Sequence, residues 1–230
     1  MRSKLAPVLS TADFAEAELA ALRLDGEVYR LDDCAVPIDE VPSVLLRGAS
    51  LATVFPASLI AERRSAAWVW GALDNPPTRH EACTGMDKRT RPPGAQRFVL
   101  REVVIGVGDT VSLAGMTLTT PIRTAIDLAR TGGTFDRDDE VMLGRLLAIG
   151  GFTAADCQAR MSRRRNLPNR ALAGLRLERS ENRALGLLGL RTDPVHVVDG
   201  VDSAHGVEHP IHVGRVTHLE HETADREAVA

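Results

Sequence analysis

The chain has 230 residues, 44% hydrophobic and 26% charged, with a formal net charge of −3. These are the proportions of a soluble globular protein with one large domain or two small ones. They exclude several classes outright. No apolar run reaches the length of a membrane span, and Met1-Arg2-Ser3-Lys4 leads into no signal-peptide core, so the expectation is a cytoplasmic protein with no membrane partner. Cys34, Cys83 and Cys157 are far apart and odd in number, which argues against a disulfide framework. Aromatic residues make up only 3%, so the core must be aliphatic. Charge is unevenly spread. Residues 1–60 carry 5 basic and 9 acidic side chains, residues 61–180 carry 19 and 13, and residues 181–230 carry 4 and 9. A basic middle between acidic ends suits nucleic acid or an acidic partner, and it also suits a plain solvated surface.

In chain order, Ser10 or Thr11 is placed to cap a first helix, and Ala15 to Leu24 forms a second with Leu19 and Leu22 inward. Asp25-Gly26 is a turn, Glu27 to Leu31 a strand, Asp32-Asp33 a hairpin tip and Cys34 to Val36 the returning strand. Helix, helix, turn and hairpin is the order of a small winged helix-turn-helix, here over residues 7–42. Reading DNA requires Arg, Lys, Asn or Gln at base edges and phosphates. The candidate recognition helix offers Glu16, Glu18 and Arg23, and the tip offers Asp32 and Asp33. Two readings stay open: a retained fold with weak or lost DNA reading, or DNA binding through Arg23 and Arg30.

A helix from Arg47 to Leu59 is ended or kinked at Pro56, and the next runs from Glu62 to Gly71. In the latter, Ser65, Ala66 and Ala67 permit close packing while Trp68 supplies bulk. Residues 78–119 read as a small sheet with strands Thr78–Cys83, Gln96–Ile105, Val111–Leu113 and Met116–Thr119. The loop Asp87 to Gly94 is basic through Lys88, Arg89 and Arg91, a composition suited to phosphate. Thr120 then stands at an N-cap with Pro121 at the first helical position. Ile122, Ala125, Ile126 and Ala129 form one apolar face, Arg123 and Asp127 are spaced to pair, and Gly132-Gly133 supplies the exit. Asp138 to Ile149 is an amphipathic helix, and Thr153 caps another from Ala154 to Met161. Arg163, Arg164 and Arg165 form the densest positive cluster, before helices Asn169 to Leu177 and Glu178 to Gly189. Six of the seven histidines fall after residue 191; His209/His212 and His218/His221 have a spacing that could share zinc, but lie in strand-like and loop-like surroundings. Gly106-Val107-Gly108 opens no helix, so it is no dinucleotide fingerprint, and neither Ser65 nor Ser112 sits in a nucleophile elbow. No cofactor or metal is expected.

Two of these segments carry a resemblance. Thr119 to Ala129, reading T-x-P-x-R-T-x-x-D-L-A, and Ser65-Ala66-Ala67-Trp68 resemble hallmarks of the AbiEi-type antitoxins of bacterial type IV toxin–antitoxin systems. The resemblance implies an α+β protein: a small N-terminal winged helix-turn-helix, a mixed helix and sheet antitoxin-like domain over residues 47–135, and a helical extension over 136–190. It also implies a non-enzymatic regulator that binds operator DNA near its own gene and counteracts a nucleotidyltransferase-type toxin without needing a stable complex with it. On that reading the DNA-binding residues are Arg23, Arg30, Lys88, Arg89, Arg91, Arg163, Arg164 and Arg165, while Ser65, Trp68, Thr120, Arg123 and Asp127 hold the domain together. A further stretch, Ser180 to Leu190, resembles the start of a very-short-patch-repair-like endonuclease domain. Further on, Thr217 stands where an aspartate would follow Gly214-Arg215-Val216, and Glu181 and Glu220 alone assemble no metal site. Residues 191–230 therefore read as a vestigial tail. The alternatives are a catalytically dead relative of those endonucleases serving as a binding module, or an active metal-dependent nuclease.

Overall fold

The computed structural model describes residues 7–86 and 97–187. The chain divides into two units, Met1–Arg191 and Thr192–Ala230, and the second lies wholly outside the described residues, as do Lys88, Arg89, Arg91, Glu220 and the six C-terminal histidines. The fold is α+β. In order it contains α1 (Glu16–Leu24), β1 (Val28–Leu31), β2 (Cys34–Pro37), α2 (Val44–Ala52), β3 (Ile60–Ala61), α3 (Arg63–Trp70) and β4 (Glu81–Gly85). There follow β5 (Val99–Val103), β6 (Thr110–Leu113), β7 (Met116–Thr119), α4 (Pro121–Ala129), α5 (Arg137–Gly150), α6 (Ala154–Ser162) and α7 (Arg170–Leu187).

At the N-terminus the expected first helix is a turn. Leu9 forms an antiparallel bridge with Ala35, so the chain enters extended. The few residues left before α1 are too few to nucleate a helix. Ser10 instead donates its N–H and its hydroxyl to the Asp13 carboxylate, each at 2.9 Å. Helix α1 and the β1–β2 hairpin follow as expected, compatible with a winged helix-turn-helix that lacks its first helix. Leu19 and Leu22 pack on Leu9, Val28 and Ala35.

The second sheet has the order β5-β4-β3-β7-β6. Its middle strand, β3, is two residues long, antiparallel to β4 and parallel to β7. So short a segment has no alternation to reveal it in a sequence. What places it is burial: Ala61 and its partner Leu118 are both fully buried. Helix α2 begins at Ser43, whose hydroxyl accepts from Leu46 N–H at 3.1 Å, earlier than the expected start at Arg47. It ends at Ala52, before Pro56.

Helix α3 divides two cores. Trp68 and Val69 face Leu46, Leu51, Phe55, Ala82 and Leu118 on the sheet side, joined by Leu31, Cys34 and Val36 of the hairpin. Ala67 faces the helical side, with Ala125, Ile126, Leu143, Leu146, Cys157 and Leu177. The two helices expected between Asn169 and Gly189 run as one, α7. No breaker separates Leu177 from Glu178, and the buried Ser180 hydroxyl donates back to the Arg176 carbonyl at 2.8 Å. Helices α5 and α7 meet at Gly144. A Cβ there would stand 3.0 Å from the Ser180 carbonyl oxygen and 3.1 Å from the Ala184 Cβ. After α4 the chain leaves through Arg130 in a right-handed conformation, and only Gly133 (φ +97°) of the expected glycine pair is left-handed.

Gly144→Val is therefore expected to destabilise the protein by about 1–3 kcal/mol through overpacking. In a thermal melt this lowers Tm by roughly 3–10 °C. Gly132→Ala, which meets nothing within 4 Å and needs no positive φ, serves as the control and is expected to leave Tm unchanged or slightly raised.

Candidate functional site

The motif helix α4 begins with hydroxyl chemistry. Thr119 and Thr124 hydroxyls share a hydrogen bond of 2.7 Å, and the Thr124 hydroxyl also reaches the Thr120 carbonyl at 2.9 Å. Thr120 occupies the N-cap position, but its side chain does not cap the helix. It donates instead to the Gly108 and Asp109 carbonyls at 3.3 and 3.4 Å, tying α4 to the β5–β6 turn. Trp70 of α3 donates to the Thr119 carbonyl at 2.9 Å, which ties α3 to the end of β7, from which α4 starts.

One turn further, Arg123 and Asp127 are buried and paired, Nε to Oδ2 at 2.7 Å. The partner that sequence spacing missed is Asp109. Arg123 also donates to this carboxylate and, at 3.2 Å, to the Val104 carbonyl. Asp109, whose side chain is 1% exposed, further accepts from Gly106 N–H at 2.8 Å, Arg160 at 2.9 Å and Arg164 at 2.5 Å. The only sequence hint was an acid closing a glycine-rich turn. Arg101 of β5 grips Glu62, the residue before α3, through two bonds of 2.7 and 2.5 Å. It also stands 3.9 Å from Asp127, while Arg130 pairs with Asp127 at 3.4 Å. Five guanidiniums thus surround three buried carboxylates, Glu62, Asp109 and Asp127, leaving a local excess of positive charge.

The electrostatics follow. Burial pushes the Asp109 carboxyl up, but hydrogen bonds from Arg160 and Gly106 and the charges of Arg123 and Arg164 outweigh it and hold it below its ordinary value. Arg130 is shifted down by burial. Asp127 opposes this, and the nearby guanidiniums of Arg123, Arg101 and Arg164 add to it.

The expected DNA-binding residues fall into separate groups. Arg164 is committed to Asp109, whereas Arg163 and Arg165 on either side are exposed. Arg23 and Arg30 line a groove of about 590 Å³ together with Arg97, Glu16 and Asp33. Arg30 is also bonded within the hairpin, to the Asp32 carbonyl at 2.7 Å and the Asp33 carboxylate at 3.3 Å. Glu181, one of the two carboxylates weighed for a nuclease, accepts from Ala154 N–H at 3.2 Å at the start of α6. Among the described residues, no group of three His, Cys, Asp or Glu is placed to hold a metal ion, and no helix is long and apolar enough to cross a membrane.

The two motif helices and the carboxylates between them lie in a single α+β unit, and a family model covers this part of it. Residues 57–142 match the model of the AbiEi antitoxin C-terminal domain. That segment contains both motifs, and its match supports the AbiEi-type resemblance. Among solved structures the chain is similar to the crystal structure of the RV2827C protein from Mycobacterium tuberculosis, with 19% identity, 83% of this chain and 78% of that chain covered, and a TM-score of 0.43. No curated protein matches.

Asp109→Asn removes the anion shared by three guanidiniums and is expected to cost about 3–5 kcal/mol in urea unfolding. Because the folded carboxyl is held below its ordinary 3.8, its contribution is fully present above that value and is lost as pH falls through the lower folded value. The wild type should therefore lose stability as pH falls from 3.8 through the lower folded value, and Asp109→Asn should flatten that acid limb.

Proposed function

We infer that the chain is a non-enzymatic, antitoxin-like transcriptional regulator that binds operator DNA near its own gene and counteracts a nucleotidyltransferase-type toxin. The observation that carries this reading is the match of residues 57–142 to the AbiEi antitoxin C-terminal domain. The DNA half is supported by the excess of arginine around Asp109 and by the exposed Arg163 and Arg165 beside it. Arg160 and Arg164 are anchored on Asp109, so Arg163 between them is held from both sides and Arg165 directly follows an anchored residue, and both can offer exposed guanidiniums to phosphates at low ordering cost. Lys88, Arg89, Arg91, Arg23 and Arg30 complete the proposed set. A stable complex with the toxin is not required, and the expected location is the cytoplasm. The endonuclease-related reading is weaker: Glu181 is occupied as a helix cap, which leaves it poorly placed to bind a metal.

Fluorescence anisotropy on a duplex from upstream of the gene, against a scrambled duplex and across a salt series with magnesium present, tests the reading. Sequence-preferring binding without nicking is expected. Arg163→Ala with Arg165→Ala should weaken binding to both duplexes and reduce the salt slope by about 2, at about 0.9 per lost phosphate contact. Equal affinity for the scrambled duplex would overturn the operator reading, and magnesium-dependent nicking would overturn the non-enzymatic one.

A further inference from the structure

The hairpin of the N-terminal module does not end in open solvent. Its tip residue Asp32, in the left-handed region at φ +56°, turns its carboxylate to His80 Nε2 at 3.0 Å. The two side chains are only 9% and 13% exposed. The other ring nitrogen of His80 bonds the Ser65 hydroxyl at 3.0 Å, and that oxygen accepts from Glu81 N–H at 2.9 Å. The ring is walled by Phe55 and Trp68, with centroids at 5.7 and 6.4 Å. Beside it, the Ser50 hydroxyl of α2 donates to the Leu31 carbonyl at 2.9 Å. Serine, histidine and aspartate in a row invite a nucleophile reading, but Ser65 is fully buried and no substrate reaches its oxygen.

We propose that the chain Ser65–His80–Asp32 is a latch that couples the hairpin tip to the antitoxin-like domain, so that the Asp32 tip works as an internal clasp and not as a contact with nucleic acid. The serine of the S-A-A-W segment gains a role by this: it orients the histidine that holds the tip. Asp32 is turned inward to His80 and Asp33 pairs with Arg30, so neither tip carboxylate stands without a partner. The duplex half of this inference rests on the proposed function; the latch itself does not.

Hydrogen exchange on the full chain, with and without duplex, tests both halves. His80→Ala should speed exchange of the tip amides, residues 30–35, by about tenfold or more while leaving α4 to α7 unchanged. Ser65→Ala should act in the same direction by less. Asp32→Asn, which touches no core residue and suits the left-handed backbone, does the same and carries the test if His80→Ala fails to fold. Duplex affinity should stay within about twofold for Asp32→Asn, because a hydrogen-bonded carboxylate turned inward does not face the duplex. Unchanged tip exchange in all three variants would overturn the latch. A large gain in duplex affinity for Asp32→Asn would overturn the clasp in favour of a wing. If the wild type binds no duplex, the operator reading fails and the exchange result alone decides the latch.

Discussion

A guanidinium enclosed by protein keeps its charge, because its pKa is too high for it to give up a proton. Arg123 is such a group, and the structure around it is arranged to supply anions. Asp127 comes from one turn along the same helix and Asp109 from the β5–β6 turn. Desolvating these ions costs several kcal/mol each, about as much as their attraction returns, so the network adds more to uniqueness than to net stability. It ties together the β5–β6 turn, α4 and the end of α6 with the residues that follow it.

That constraint reaches past the matched domain. Arg160 and Arg164 belong to the segment that follows residue 142, yet both complete the hydrogen bonding of Asp109. The helical extension is thus built into the same ionic centre as the motif helix, and it shares an apolar core with it through Leu143, Cys157 and Leu177. Helix α3 does the equivalent on the other side. Trp68 seals the sheet core, Ala67 the helical one, and Ser65 reaches the latch, three positions within one turn serving three contacts.

Much of the helical and hairpin structure was legible because its causes are local. Helix α4 follows from Pro121 and the spacing of its apolar residues, α6 begins at Thr153, whose side chain caps it, and α5 was legible from its amphipathic pattern, though its cap is Asp136, just before the expected start. The hairpin strands follow from alternation around a tight tip. The Arg123–Asp127 pair is also local, one helical turn apart. Where local reasoning failed, the competing cause was distant. The Leu9–Ala35 bridge drew the entering chain out of a helix, and the β5–β6 turn drew the Thr120 hydroxyl away from its cap.

The sequence by itself determined most of the helices, the N-terminal hairpin and where the two motif helices lie, because periodicity, caps and turns act over a few residues. Only the tertiary structure decided that a two-residue strand stands at the centre of the sheet, that Asp109 is the shared anion, and that His80 holds the hairpin tip. Those outcomes depend on partners far along the chain: 55 residues separate Asp109 from Arg164, and 48 separate His80 from Asp32. No local pattern encodes such pairings. They are selected when burial removes water and leaves each charged or polar group only the partner that the fold brings to it.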